Sequence, residues 1–146
     1  MSTWTSECRL KHPGGDTEVF GHVPLLTIRS GPPFPAGPIY LKYGEHRGEH
    51  RGFGFQHIWK EHCRHIGDHD VAVDHVRRLV ADALQPNTPI HYEYGERLEV
   101  FRLRTGSVIL LLARSLEVPE YSVVTAGYFP KNAKGSRVGA LAHVGP

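Results

Sequence analysis

The sequence has little of what would classify it at sight. Its two cysteines, Cys8 and Cys63, supply no disulfide framework. No run approaches the roughly 20 apolar residues that a membrane-spanning helix needs. Met1 to Leu10 carries Trp4, Glu7 and Arg9 and no apolar stretch, so no signal peptide is expected within it. Charge of one sign is missing too. Seventeen Lys and Arg against fifteen Asp and Glu leave a formal charge of +2, too small a surplus to announce a nucleic-acid surface. Repeats are absent beyond the short echo Gly44-Glu45-His46-Arg47-Gly48-Glu49-His50-Arg51-Gly52, which excludes a solenoid.

What is present is an ordinary core-forming composition and an excess of imidazole. At 40% hydrophobic and 22% charged residues, the chain is not disordered throughout, and 146 residues suit one domain. Eight of the eleven histidines fall between His46 and His91. Histidine titrates near neutrality and ligates metals, so acid–base chemistry, metal binding and pH sensing all remain open.

Residues 1–24 mix polar residues with Pro13-Gly14-Gly15 and are expected to form a loosely structured lead-in. Leu25 to Arg29 is expected to be a short strand, and the four prolines between Ser30 and Pro38 exclude regular structure there. Ile39 to Tyr43 alternates like a strand. The polar, Gly-punctuated echo reads as a loop.

The spacing of Ile58, Trp59, His62 and Ile66 predicts a helix over 56–66, with His62 on its inner face. A second helix is expected over 70–84, capped by Asp68 or Asp70, with Val71, Val73, Val76, Leu79, Val80 and Leu84 on its apolar side. Strands follow at 90–94, 98–104, 108–113 and 122–128. The run Val108 to Ala113 is apolar throughout, as for a strand buried on both faces. Residues 130–146 are basic and Gly-rich and are expected to form a flexible tail. The resulting class is α+β, two helices packed on one face of a four- to five-stranded antiparallel meander sheet, with the domain spanning 25–129.

The densest chemical segment is Gly52-Phe53-Gly54-Phe55-Gln56-His57-Ile58-Trp59-Lys60-Glu61-His62. On a helix, Lys60 and Glu61 neighbour His57, whereas His62 lies about 140° around the axis from it. Metal binding is one reading, because His62, His65 and His69 are spaced by three and four beside Cys63. No His-Glu-x-x-His or Cys-x-x-Cys pattern supports it, and Gly67 should end the helix before His69. The other reading is metal-free phosphoryl transfer. That needs a base for the 2′-hydroxyl, an acid for the leaving 5′-oxygen and cations for the phosphorane. His57, Lys60 and His62 offer such parts. Arg102 and Arg104 share a strand face, and Thr125 lies in Val123-Val124-Thr125-Ala126-Gly127-Tyr128.

The order strand, Gly-rich loop, Gly-Phe-Gly-Phe-x-His-Ile-x-Lys-x-His, meander and Val-Val-Thr-Ala-x-Tyr resembles the barnase–EndoU–colicin–RelE-like ribonuclease superfamily. It is most similar to the branch found in phage proteins and bacterial polymorphic toxins, over roughly Pro38 to Tyr128. The resemblance implies helices against an antiparallel sheet and a toxin-type endoribonuclease. It would cut RNA, often tRNA, without metal or other cofactor, to a 2′,3′-cyclic phosphate. It implies action in the cytoplasm of a target cell, delivery within a larger toxin and a cognate immunity protein.

Carried over by position, the catalytic residues would be His57, His62 and Thr125, with Lys60 supplying charge. Arg102, Arg104, His46, Arg51 and Tyr128 would bind substrate. Which histidine is base and which is acid stays open, since His46, His50 and His65 also offer imidazoles. Two alternatives stand beside this: a non-catalytic RNA- or protein-binding module of the same fold, and a zinc-dependent hydrolase using His62, His65 and His69.

Overall fold

The computed structural model describes residues 4–29, 33–49, 51–92, 102–105, 107–113, 118–127 and 136–142. In chain order these form β1 (Val19–Val23), β2 (Gly37–Tyr40), β3 (Glu45–Gly48), β4 (Arg51–Phe53), α1 (Gly54–His62) and α2 (His69–Ala83). There follow β5 (Pro89–Tyr92), β6 (Arg102–Thr105), β7 (Val108–Ala113), β8 (Glu120–Thr125) and β9 (Ser136–Ala140). The class is α+β, with two helices and mostly antiparallel strands.

The expected four- to five-stranded meander is corrected. Strands β5 to β8 do follow one another as antiparallel neighbours, but they form the middle of a seven-stranded sheet ordered β1-β2-β8-β7-β6-β5-β9. The pairing of β2 with β8 is parallel. This is the geometry that a long crossover permits, and both helices lie in the chain between those strands.

The two ends of the chain take part in this sheet. The stretch expected as a loose lead-in carries β1, paired with β2, and buries Leu10, Phe20 and Val23. Leu10 N–H donates to the Leu41 carbonyl, and Arg9 reaches the buried carboxylate of Glu120 at 3.2 Å. The stretch expected as a flexible tail carries β9, paired with β5. Just beyond it Leu141 is buried, and it exchanges backbone hydrogen bonds with Asn87 and Thr88. Buried backbone must be paired, and strand pairing does this for segments with no amphipathic signal of their own.

Other expectations shift locally. Leu25 to Arg29 is not a strand; only Leu26 bridges, to Phe34. The polar echo is not a loop but the two-stranded hairpin β3–β4. Its role is to cover the start of α1. The helix opens on Phe53, which makes no side-chain cap. Its first N–H groups are instead taken by chain entering the hairpin: Phe55 N–H donates to the Lys42 carbonyl and Gln56 N–H to that of Tyr43. Gly54 has φ +75°, and a Cβ there would meet the Lys42 carbonyl, so glycine permits this close crossing.

The first helix ends at His62 rather than Ile66, because the Trp59 indole N–H donates to the Ile66 carbonyl at 2.7 Å and folds the connection back. Asp68 caps α2, its carboxylate accepting from Val71 N–H at 3.0 Å. That cap contributes about 1 kcal/mol. Val71 itself is exposed; Ala72, Val76, Val80 and Leu84 face the core. They join Phe55 and Ile58 of α1, Leu110 of β7 and Tyr121 and Val123 of β8 in one cluster. β7 is not buried on both faces. Val108, Leu110 and Leu112 point inward, and Leu111 is exposed. Helix α1 packs on β8 and carries β3–β4, and α2 packs on α1 and β1. Among the described residues, no helix is long and apolar enough to cross a membrane.

Candidate functional site

The corner where β3–β4 lies over α1 gathers the site. His57 stands in the first turns of α1 and is only 4% exposed, which is low for an imidazole and follows from the hairpin above it. Its Nδ1 lies 3.2 Å from Nδ1 of His46 on β3, with ring centroids 5.3 Å apart. Its Nε2 faces Oε1 of Glu61, one helical turn on, at 3.9 Å. Gly52 pairs with His46 across the hairpin. A Cβ at Gly52 would meet the Glu45 carbonyl and stand 3.0 Å from His57 Nδ1. The bare glycine therefore leaves the space in which the two rings meet. The Gln56 amide adds a tether, donating to the Gly44 carbonyl at 3.0 Å.

This arrangement imposes a tautomer logic. Between two Nδ1 atoms at hydrogen-bond distance one donates and the other accepts. Which ring donates depends on the tautomer; a proton on His57 Nε2, the side that faces the Glu61 carboxylate, would leave His57 Nδ1 as the acceptor. In that tautomer His46 Nδ1–H is the donor and the lone pair of His46 lies on Nε2. His46 is half-buried, so it is the more accessible of the two rings.

The other expected residues divide. His62 is exposed at the end of α1, not on its inner face, because α1 buries Phe55, His57 and Ile58. It lies beside Gly127, where a Cβ would be 3.7 Å from its own Cβ. Thr125, at the end of β8, has a buried hydroxyl that hydrogen-bonds to none of the described residues. Since α1 and β4 both pack on β8, Thr125 belongs to the strand beneath this corner. Arg51 is exposed on β4. Lys60 is exposed too, and its Nζ sits 4.6 Å over the Trp59 ring. Arg102 and Arg104 lie on β6, which β7 separates from β8; their backbones pair with Leu111 and Ile109. Tyr128 lies outside the described residues.

The spacing of His62, His65 and His69 does not make a metal centre. His65 is exposed. His69 Nε2 lies at hydrogen-bond distance, 3.0 Å, from the Tyr43 hydroxyl, while its Nδ1 meets Asp70 at 3.1 Å. Burial pushes the Tyr43 phenol up, so it remains a donor at neutral pH. The His69 ring is also boxed by Trp4, Tyr43, Phe55 and Trp59. Among the described residues, the group whose ligand atoms converge is His46, His57 and Glu61, all within 4.8 Å of one another. Glu61 was visible in the sequence only as the i+4 neighbour of His57, and nothing there joined His46 to the pair.

Comparison of the chain with known protein families, with curated proteins and with solved structures finds no match.

Proposed function

We propose that the chain is an endoribonuclease that moves protons with imidazoles rather than a bound metal. It would cut RNA by attack of the 2′-hydroxyl on the adjacent phosphorus and leave a 2′,3′-cyclic phosphate. The observation that carries this reading is the chain Glu61–His57–His46, a carboxylate facing a buried imidazole that meets a second, more accessible one. Glu61 orients His57, and His57 holds His46 with its Nε2 lone pair outward. His46 Nε2 takes the 2′-hydroxyl proton. His57, which the resemblance implies as one of the acid–base pair, is on this reading the ring that positions His46.

His62 supplies the proton to the departing 5′-oxygen. It stands five residues along α1 from His57, about 7.5 Å of rise and about 140° around the axis, so on this reading it reaches the phosphodiester from the exposed end of the helix. The Thr125 hydroxyl is buried, so a part for it as donor to a phosphate oxygen would need the end of β8 to open. Arg51 and Lys60 supply exposed charge toward the backbone of the RNA. On this reading RNA, tRNA included, is the partner. The site of action is the cytoplasm of a target cell, and a cognate immunity protein restrains the activity.

The test is incubation of the full chain with total tRNA in excess EDTA, with His46→Ala alongside. Fragments with cyclic phosphate ends, reduced about 10²–10⁴-fold by the substitution, support the reading. Intact tRNA under wild-type protein rejects it and transfers weight to an RNA- or protein-binding module.

A further inference from the structure

We infer that His46, His57 and Glu61 also form a binding site for one zinc-class divalent ion, and that the bound ion and proton transfer by these imidazoles exclude each other. The binding half stands on geometry alone. The exclusion half rests on the ribonuclease reading above.

Two imidazoles and a carboxylate are the donor set of a zinc-type ion. The hard cations magnesium and calcium instead seek oxygen ligands. The three ligand atoms already lie within 4.8 Å of one another. Ligands at 2.0–2.2 Å from a tetrahedral ion stand about 3.3–3.5 Å apart. The longest edge of the triangle therefore closes by about 1.5 Å, and the two Nδ1 atoms at 3.2 Å are already at such a spacing.

Two of the three ligands, His57 and Glu61, sit one helical turn apart on the same side of α1, so the helix presets them. The third, His46, comes from the hairpin, which would have to make that small movement. The turn at Gly48 has open space around it, while Gln56 keeps the base of the hairpin tied to α1. Three protein ligands leave a fourth tetrahedral position to water. A metal bound through His46 Nδ1 leaves the ring's proton on Nε2, so the lone pair that a general base would use is gone, and it ends the Nδ1–Nδ1 hydrogen bond between the two rings. The ion is thus an inhibitor of the corner, not its cofactor.

The experiment uses the untagged full chain, stripped with EDTA and dialysed. ZnCl2 is titrated by calorimetry, with MgCl2 as comparison, while tRNA cleavage is followed in parallel. The expected result is one zinc per chain and no magnesium binding. Affinity should fall at least ~10-fold in His46→Ala and in Glu61→Gln and stay unchanged in His65→Ala. Circular dichroism checks that each variant is folded. Cleavage by the wild type should drop at least ~10-fold with one equivalent of zinc and return with EDTA.

Absence of stoichiometric binding overturns the site. So does equal affinity in His46→Ala and Glu61→Gln, or loss of binding in His65→Ala. Binding at the site with cleavage undiminished overturns the exclusion. Cleavage that begins only when zinc is added overturns the exclusion and the metal-free mechanism together. If the wild type cleaves under neither condition, the ribonuclease reading falls, and calorimetry alone upholds or overturns the metal site.

Discussion

Two histidine-bearing regions lie on either side of Trp59, and they behave in opposite ways. His62, His65 and His69 have the sequence spacing of a metal site and do not converge, because α1 ends at His62 and His69 is held by Tyr43 and Asp70. His46 and His57 are eleven residues apart with no helical relation, and their Nδ1 atoms are 3.2 Å apart. The difference is one of scaffold. Spacing brings side chains together only while one regular element runs through them. The hairpin β3–β4 brings His46 to α1 by folding back over it, and that depends on Gly52 and Gly54 rather than on the histidines.

The largest effect that should separate the two regions is on chemistry. His46→Ala is expected to lower tRNA cleavage about 10²–10⁴-fold, equivalent to about 3–5 kcal/mol in the barrier, with the melting temperature little changed. Single-turnover rates beside a thermal melt check this. Glu61→Gln removes the carboxylate charge that faces His57 Nε2 and, on the proposed mechanism, should cost less than His46→Ala but at least about tenfold in rate. An equal loss in both variants would make Glu61 a proton carrier in its own right.

Next comes the scaffold itself. Gly52→Ala places a Cβ against the Glu45 carbonyl at a backbone with φ +136°, so it should lower stability by about 1–3 kcal/mol and pull the two rings apart. Denaturant melts and the cleavage assay together would show whether strain and chemistry are coupled there. Asp68→Ala, which removes the α2 cap, should cost about 1 kcal/mol and leave cleavage per folded molecule unchanged. Smallest of all, His65→Ala should stay within about 0.5 kcal/mol of wild type and leave cleavage intact, since the residue is exposed. A strong effect at His65 would erase the contrast between the two regions.

Much of the helical part was legible along the chain. The apolar spacing around Val76 and Val80, with Asp68 ahead of it, marks α2 and its cap. The unbroken apolar run marks β7 to the residue. What escaped was polar or short. The hairpin reads as Glu-His-Arg repeats between glycines, with Phe53 as its one apolar residue and no period to read. Strand β9 is Ser-Arg-Val-Gly-Ala at the sheet edge, half-exposed and without alternation. Strand β1 hides its Val19, Phe20 and Val23 behind a Pro- and Gly-rich approach. These segments form because the neighbouring strand offers unsatisfied N–H and C=O groups, and that partner is remote in sequence.

The site was half legible for the same reason. His57 and Glu61 are neighbours by helical geometry, which any reading of the chain can supply. The inward placement expected of His62 failed because Phe55 and Ile58, not the residues at 62 and 66, define the buried side of α1. Local order thus determined the α+β class, the helix α2, the apolar strands and the i,i+4 pair on α1, since each depends on contacts within a few residues. Tertiary structure alone decided the seven-stranded order, the parallel join of β2 to β8 and the meeting of His46 with His57. Those depend on which distant backbone groups find one another when water is removed, and no spacing within a single element encodes them.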